Sequence, residues 1–210
     1  VFAAYLAGAQ TPRGEVTDIA AENERLLRQE SGRPVRGLAD EIRANVEAFT
    51  TATRGNLGAD VLPWYSGIEL DVATGTGLLL AELRVHGFDL ARSLGRPWTI
   101  APADARSIVR ASAVLAPWYL DREAADGIRT TFRLEIRGGP RLRIAIADGD
   151  ARVEPADGPA DCTIHADPAA FVLVAYGRRS RWWAIARGQL LAGGRHPWRA
   201  LAFDRYFRSP

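Results

Sequence analysis

The spacing of apolar residues changes about halfway along this chain. In the first half they recur at helical spacing, as in the series Val35, Leu38, Ile42, Val46 and Phe49. From residue 129 onward, short segments with alternating apolar residues are separated by glycine-rich turns. A run of strands followed by helices is typical of an α+β domain. We therefore predict a two-domain α+β protein, with a helical domain at residues 1–117 and an α+β domain at residues 118–210.

Four helices are expected in the first half. Residues 1–9 look like the end of a helix, and helical patterns follow near residues 18–31, 34–53 and 78–94. Short connections between helices favour antiparallel neighbours, so we expect an up-and-down four-helix bundle. In the second half, segments 129–137 and 142–149, a short strand near 152 and the segment 161–167 predict a mainly antiparallel sheet, followed by a helix that begins at Pro168.

The segment 78–98 carries three polar side chains on one helix face. Glu82, His86 and Asp89 stand at i, i+4 and i+7, so they project from the same side. A carboxylate and an imidazole one turn apart can bind the same divalent cation. Their leucine-rich surroundings favour a buried pair, which would need a partner or a metal. The alternative interpretation is an ordinary surface pair between Glu82 and His86.

Composition narrows the classes of function. The 210 residues include 27 basic and 25 acidic ones, and a net charge of +2 gives no general affinity for nucleic acid. No apolar run is long enough for a membrane span. Cys162 is the single cysteine, which excludes an internal disulfide and favours a cytoplasmic location. The chain starts at Val1 and contains no methionine, so we expect that its N-terminus is truncated or that methionines are omitted from it.

Two stretches resemble a known family. The run ELRVHGFDLARSLGRPW, which begins at Glu82, resembles the metal-ligand helix of the mycothiol-dependent maleylpyruvate isomerases, which belong to the DinB-like metal-binding bundles. The pattern from FRLEIRGG through DCTIHADPAAFVLVAYGRRS to ARGQLLAGG resembles the sterol carrier protein type 2-like domain that follows the bundle in that group. The first match is the more specific of the two.

The resemblance implies a divalent metal, commonly zinc, with Glu82 and His86 as two of its ligands and Asp89 as a supporting group. It also implies mycothiol, a small-molecule thiol whose metal-bound thiolate adds to a small organic substrate. The first ligand of the family is a histidine. That histidine either lies upstream of Val1 or is replaced by Tyr5, in which case a complete zinc site is in doubt.

Arginines and the second half leave further interpretations open. Arg84, Arg178, Arg179 and Arg181 are candidates for gripping an anionic substrate or thiol, because a guanidinium can hold a carboxylate with two hydrogen bonds; the alternative is a solvated loop. The sterol-carrier resemblance implies an apolar cavity, so a non-catalytic lipid or small-molecule binding protein is the rival of the enzyme. A regulatory protein without a substrate is a third interpretation.

Overall fold

The computed structural model describes residues 18–54 and 61–208. The chain divides into two compact units between Thr76 and Gly77. The domain boundary that we expect from the sequence, between residues 117 and 118, marks the change of hydrophobic spacing and stays a prediction.

The first unit contains two helices and a small hairpin. Helices α1 (Ile19–Gln29) and α2 (Val35–Thr53) are followed by strands β1 (Val61–Pro63) and β2 (Glu69–Asp71), which pair antiparallel. The helix predicted at residues 1–9 lies outside the described residues, so the four-helix bundle is not confirmed and stays a prediction.

Helix α3 (Val72–Ser93) begins in the first unit and continues into the second. It starts six residues before the predicted Leu78 and ends where expected, because Gly95 adopts a φ of +62°, which a glycine tolerates without a steric penalty. From Leu78 onward, its buried side chains form one stripe at helical spacing: Leu78, Ala81, Val85, Phe88 and Ala91. The residues beside this stripe are left at the surface.

Helix α4 (Pro102–Leu115) carries proline at its first position, where the missing N–H costs nothing, and leads into a short 3-10 helix, Ala116–Tyr119. Helices α3 and α4 approach closely at a glycine. A Cβ added to Gly77 would lie 2.5 Å from the Cβ of Ala111 and 3.0 Å from the carbonyl oxygen of Ser107. The absence of a side chain at Gly77 therefore permits this contact.

A five-stranded sheet forms the centre of the second unit. Its strands are β3 (Thr130–Ile136), β4 (Arg141–Ala147), β5 (Asp150–Pro155), β6 (Cys162–Ala166) and β7 (Leu190–Gly193), in the order β5-β4-β3-β6-β7. The predicted hairpins are confirmed, and the turn between β4 and β5 places both Asp148 and Gly149 at positive φ, as in a type I′ turn.

The sheet is mixed rather than mainly antiparallel, which corrects the prediction. Strands β3 and β6 pair in parallel, with Phe132 opposite Cys162. The chain leaves the β3–β4–β5 meander at one edge of the sheet and returns beside β3, so β6 runs in the same direction as β3. Strand β7, which the sequence does not predict, then pairs antiparallel with β6.

Helices α5 (Pro168–Ala175) and α6 (Arg181–Ala186) and the C-terminal 3-10 helix (Pro197–Arg205) complete the unit. The start of α5 at Pro168 is confirmed, and the Asp167 side chain caps it by accepting a hydrogen bond from the backbone N–H of Ala170. One face of the sheet contributes alternating side chains to the core, among them Phe132, Leu134 and Ile136. Among the described residues, no helix is both long and apolar enough to cross a bilayer.

Candidate functional site

Three side chains of α3 meet as the sequence predicts. The Nε2 atom of His86 lies 3.0 Å from the Oε2 atom of Glu82, and its Nδ1 atom lies 3.5 Å from the Oδ2 atom of Asp89. Both nitrogens of the imidazole therefore face a carboxylate. We call Glu82, His86 and Asp89 the acidic–histidine cluster.

The cluster is exposed, and the expectation of a buried pair is wrong. The side chains of Glu82 and His86 are each 61% exposed. The reason is the position of the buried stripe of α3, which runs through Ala81, Val85 and Phe88 and leaves the cluster on the adjoining face. Because water solvates both groups, their charges do not require a metal for stability.

Asp89 is held by an arginine that is distant in the sequence. The Nε atom of Arg178 donates to both carboxylate oxygens of Asp89 at 3.2 and 3.1 Å, and one Nη atom donates at 2.8 Å. The other Nη atom donates to the carbonyl oxygen of Tyr176 at 2.6 Å. Arg178 thus joins α3 to the loop after α5, with the paired geometry that a guanidinium makes with a carboxylate.

These contacts shift two pKa values in opposite directions. The hydrogen bond to Glu82 raises the pKa of His86, while partial desolvation and the charge of Arg178 oppose that rise. The hydrogen bonds from Arg178 lower the pKa of Asp89. Asp89 therefore stays a carboxylate at neutral pH, and Glu82 favours the protonated form of His86.

The cluster supplies two donors that fit a divalent metal, but not three. A tetrahedral zinc ion with its ligands at about 2.0–2.2 Å needs donor atoms a little more than 3 Å apart, which is close to the separation of Glu82 and His86. The carboxylate of Asp89, the third candidate donor, is already paired with the guanidinium of Arg178. Within residues 18–54 and 61–208, no group of three or more His, Cys, Asp or Glu side chains is arranged to hold a metal. Tyr5, at the doubtful third-ligand position, lies outside the described residues.

The other predicted arginines do not converge on the cluster. Arg84 pairs with Asp104 at 2.7 Å, and Arg181 forms an ion pair with Asp204. The guanidinium carbon of Arg179 lies 5.3 Å from the ring centre of Phe88 and 5.2 Å from that of Trp183, in cation–π contacts. Only Arg178 reaches the acidic–histidine cluster directly.

A cavity of about 470 Å³ lies between α4, α5 and the covered face of the sheet. Its wall is mainly apolar and includes Ile108, Val109, Ala113, Leu134, Ile144, Val172 and Phe203. Lining residues that are also solvent-exposed mark its opening, and they are Ala175, Gly177, Arg179, Ser180, Trp182, Asp204 and Arg208. The volume and the apolar wall are those of a site for a small hydrophobic molecule.

Two tyrosines contribute phenol groups to the wall of the cavity. Tyr119 and Tyr176 line the cavity, and the hydroxyl of Tyr176 is 3.0 Å from that of Ser112. Burial raises the pKa of Tyr119 to about 12 and also raises that of Tyr176. The negative charge of Glu82 contributes to both increases. Arg178 connects the cluster to the cavity wall, because it donates to Asp89 and to the carbonyl oxygen of Tyr176.

Sequence analysis missed these two tyrosines and Ser112. Tyr176 ends α5, and Ser112 lies one helix earlier, so no local spacing connects them. The available signal was the polarity of Tyr176 and Ser112, since each interrupts an apolar helical segment. These segments are AAFVLVAYG and SIVRASAVL.

The remaining candidate groups lie elsewhere in the unit. Cys162 is fully buried in β6, and burial raises the pKa of its thiol, as expected of a structural cysteine. His165 lies on the exposed sheet face, where its Nδ1 atom is 3.2 Å from Glu135. Neither residue lines the cavity.

Comparisons with known proteins support the interpretation of the second half. Residues 115–194 match the model of the SCP-2 sterol transfer family. The C-terminal part of the chain is therefore an SCP2-type domain, as the sequence analysis expected. No curated protein matches the chain significantly.

The solved structures that match cover different parts of the chain. The inverting sec-alkylsulfatase Pisa1 from Pseudomonas sp. is 13% identical over 89% of this chain, with a TM-score of 0.41, and this chain spans only 32% of that protein. The ubiquinone synthesis protein UbiJ-SCP2 is 23% identical over 44% of this chain and 77% of its own, with a TM-score of 0.30. Sterol carrier protein 2 from Yarrowia lipolytica is 18% identical over 40% and 67%, with a TM-score of 0.30. With TM-scores below 0.5, these likenesses identify neither the fold nor an activity of this chain.

Proposed function

We propose that the second unit binds a lipid or another small hydrophobic molecule in the cavity beneath α5. The observation that carries this proposal is the apolar cavity, most of whose lining residues belong to the part of the chain that matches the SCP-2 sterol transfer family. Binding an apolar molecule in this cavity removes its surface from water, and each Å² of apolar surface buried contributes about 25 cal/mol to the binding free energy.

A polar end on the ligand would find a partner at the opening. The Nε atom of Arg181 is buried and has no hydrogen-bond partner among the described residues, although its Nη1 atom pairs with Asp204. An unsatisfied buried donor is costly, and a ligand oxygen at this position would remove that cost. The cavity therefore favours an amphipathic ligand with an acceptor group at one end.

Filling the cavity tests this function. Ala113 lines the cavity, so Ala113→Phe should lower the affinity for a fluorescent fatty-acid probe at least about tenfold by occupying the probe's volume. The matched control is Ala103→Phe, since Ala103 lies on the exposed side of the same helix and does not line the cavity. Unchanged probe binding in Ala113→Phe, or equal losses in both variants, would contradict the proposal.

A metal- and mycothiol-dependent enzyme, similar to maleylpyruvate isomerase, is the second candidate. It is supported by the 3.0 Å approach of Glu82 and His86 and by the resemblance of the ELRVHGFDLARSLGRPW segment. Glu82 and His86 would hold the metal, and the bound metal would lower the pKa of the thiol. In this proposal Tyr119 and Tyr176 present their hydroxyls to a substrate that enters from the cavity.

Metal analysis tests the second candidate. Zinc bound by the purified chain should fall to background in Glu82→Ala and in His86→Ala, because each change removes one of two donors. Arg152→Ala, on the exposed strand β5, serves as the control. Equal zinc content in all four proteins would remove this site and leave the hydrophobic cavity as the only candidate function.

A further inference from the structure

The segment 168–203 has an unusual charge distribution. It contains six arginines and no aspartate or glutamate, although the whole chain is nearly neutral at +2. Three of the six tryptophans of the chain also fall in it. Positive charge and large aromatic surface are therefore concentrated in one part of the sequence.

Exposed apolar side chains of this segment share one surface. On α6, Trp182 and Ile185 are three residues apart and are 57% and 38% exposed. On the C-terminal 3-10 helix, Trp198 and Leu201 are also three residues apart and are 64% and 40% exposed. Isolated exposed apolar residues are ordinary, but two pairs on adjacent elements make a patch.

An ion pair places these two elements side by side. Residues three apart in a 3-10 helix lie on one face, so Trp198, Leu201 and Asp204 project in the same direction. Asp204 pairs with Arg181, which directly precedes Trp182 on α6. The two apolar pairs therefore flank this bridge, and we call Trp182, Ile185, Trp198 and Leu201, with the neighbouring Arg187, the tryptophan–arginine surface.

Several arginines of the segment 168–203 have no carboxylate partner among the described residues. Arg179 and Arg187 both lie against the ring of Trp183, at 5.2 and 4.7 Å from its centre, and Arg195 forms no ion pair in this part of the chain. Stacking on an aromatic ring leaves the guanidinium charged and partly solvated. The surface therefore combines exposed tryptophan with uncompensated positive charge.

We propose that the tryptophan–arginine surface docks the second unit onto an anionic lipid bilayer. Tryptophan prefers the boundary between headgroups and hydrocarbon, and each arginine close to an anionic leaflet contributes about fivefold in binding. The cavity opens at the same place, because Trp182 and Arg181 both line it. Docking would bring that opening against the membrane, so an amphipathic molecule could enter without crossing water.

This inference goes beyond the proposed ligand binding, and vesicle sedimentation tests it separately. The full chain is mixed with phosphatidylcholine vesicles, with or without phosphatidylglycerol, and the bound fraction is measured at rising salt. We expect binding that requires phosphatidylglycerol and weakens with salt. Arg187→Glu should lower the partition coefficient about thirtyfold and Trp198→Ser about tenfold. Neither residue lines the cavity, so both variants should still bind the fatty-acid probe.

Matched controls separate the surface from general charge and hydrophobicity. Arg152→Glu changes the net charge equally on exposed strand β5, and Leu94→Ser removes an exposed apolar side chain after α3; both should bind vesicles like the wild type. Equal losses in Arg187→Glu and Arg152→Glu would overturn the proposal. So would an absence of vesicle binding, or a dimer in analytical ultracentrifugation that Trp198→Ser dissociates, since the surface would then pair two copies of the chain. Vesicle binding without probe binding would contradict the proposed function and leave the docking surface standing.

Discussion

Glu82, His86 and Asp89 show what helical spacing can and cannot predict. Their common face follows from the 3.6-residue period, and the structure confirms that His86 reaches both carboxylates. Their exposure could not be deduced, because it depends on which neighbouring stripe of α3 is covered by the core. The contact between Asp89 and Arg178 could not be predicted either, because it joins residues that no local sequence pattern relates.

His86 provides a pH-dependent prediction at the residue scale. Its pKa is raised in the folded chain, chiefly by the hydrogen bond to Glu82, so Glu82→Gln should lower that pKa. Titration of the imidazole by NMR measures the change, and His86→Gln assigns the signal among the three histidines of the chain. A His86 pKa that is equal in Glu82→Gln and the wild type would show that the hydrogen bond has no effect in solution.

The same contact predicts a small change in stability. Because the pKa of His86 is higher in the folded chain than in the unfolded chain, its protonated form stabilises the fold. This stabilisation is fully present below the unfolded pKa of about 6.5, and it is lost as the pH rises through the folded pKa. Because both side chains are mostly exposed, the free energy of unfolding should differ from that of Glu82→Gln by only about 0.5 kcal/mol at acidic pH. Urea unfolding at several pH values should show the difference shrinking as pH rises.

At the scale of elements, turn residues and the alternation of apolar side chains predict the hairpins, but they do not predict the path of the chain between distant strands. The alternating patterns of β3 and β4 and the Asp148–Gly149 turn after β4 predict the β3–β4 and β4–β5 hairpins, which the structure confirms. The parallel pairing of β3 and β6 depends instead on where the chain returns after β5, and no residue in either strand encodes a direction. Strand β7 was missed because its LLAG sequence is short and rich in small residues.

The contact between α3 and α4 predicts a large effect of one methyl group. Gly77→Ala would place a Cβ against Ala111 and the backbone of Ser107, so it should lower the free energy of unfolding by about 1–3 kcal/mol. Gly37→Ala is the matched control, since Gly37 lies in α2 with open space around its Cβ position. Without a clash, alanine should be neutral or stabilising by about 0.5–1 kcal/mol. Denaturant unfolding of both variants measures the contrast, and equal effects would contradict the close approach.

For the molecule as a whole, the resemblance of the second half to sterol carriers was a better guide than any single residue. It implied an apolar cavity before the tyrosines and arginines around that cavity were known. Composition alone excluded little, because a net charge of +2 conceals the concentration of arginine in residues 168–203.

Ligand binding should be visible in the thermal stability of the whole chain. A ligand that binds only the folded state stabilises it by about 2.7 kcal/mol at a hundred times its Kd. For a chain of this size we expect palmitate at that concentration to raise Tm by about 5–10 °C. Ala113→Phe should abolish the increase and Ala103→Phe should retain it. A Tm that does not respond to palmitate in the wild type would argue against this ligand class.

The parallel pairing of β3 with β6 has a consequence for biosynthesis. Strand β3 is made first and ends up in the middle of the sheet, so one of its edges has no neighbour until the ribosome has also produced β4, β5 and β6. Until then its backbone N–H and C=O groups and the apolar side of the nascent hairpin are open to other chains. A ribosome that stalls between β5 and β6 should therefore leave a product prone to aggregation, whereas a pause after β7 should be harmless.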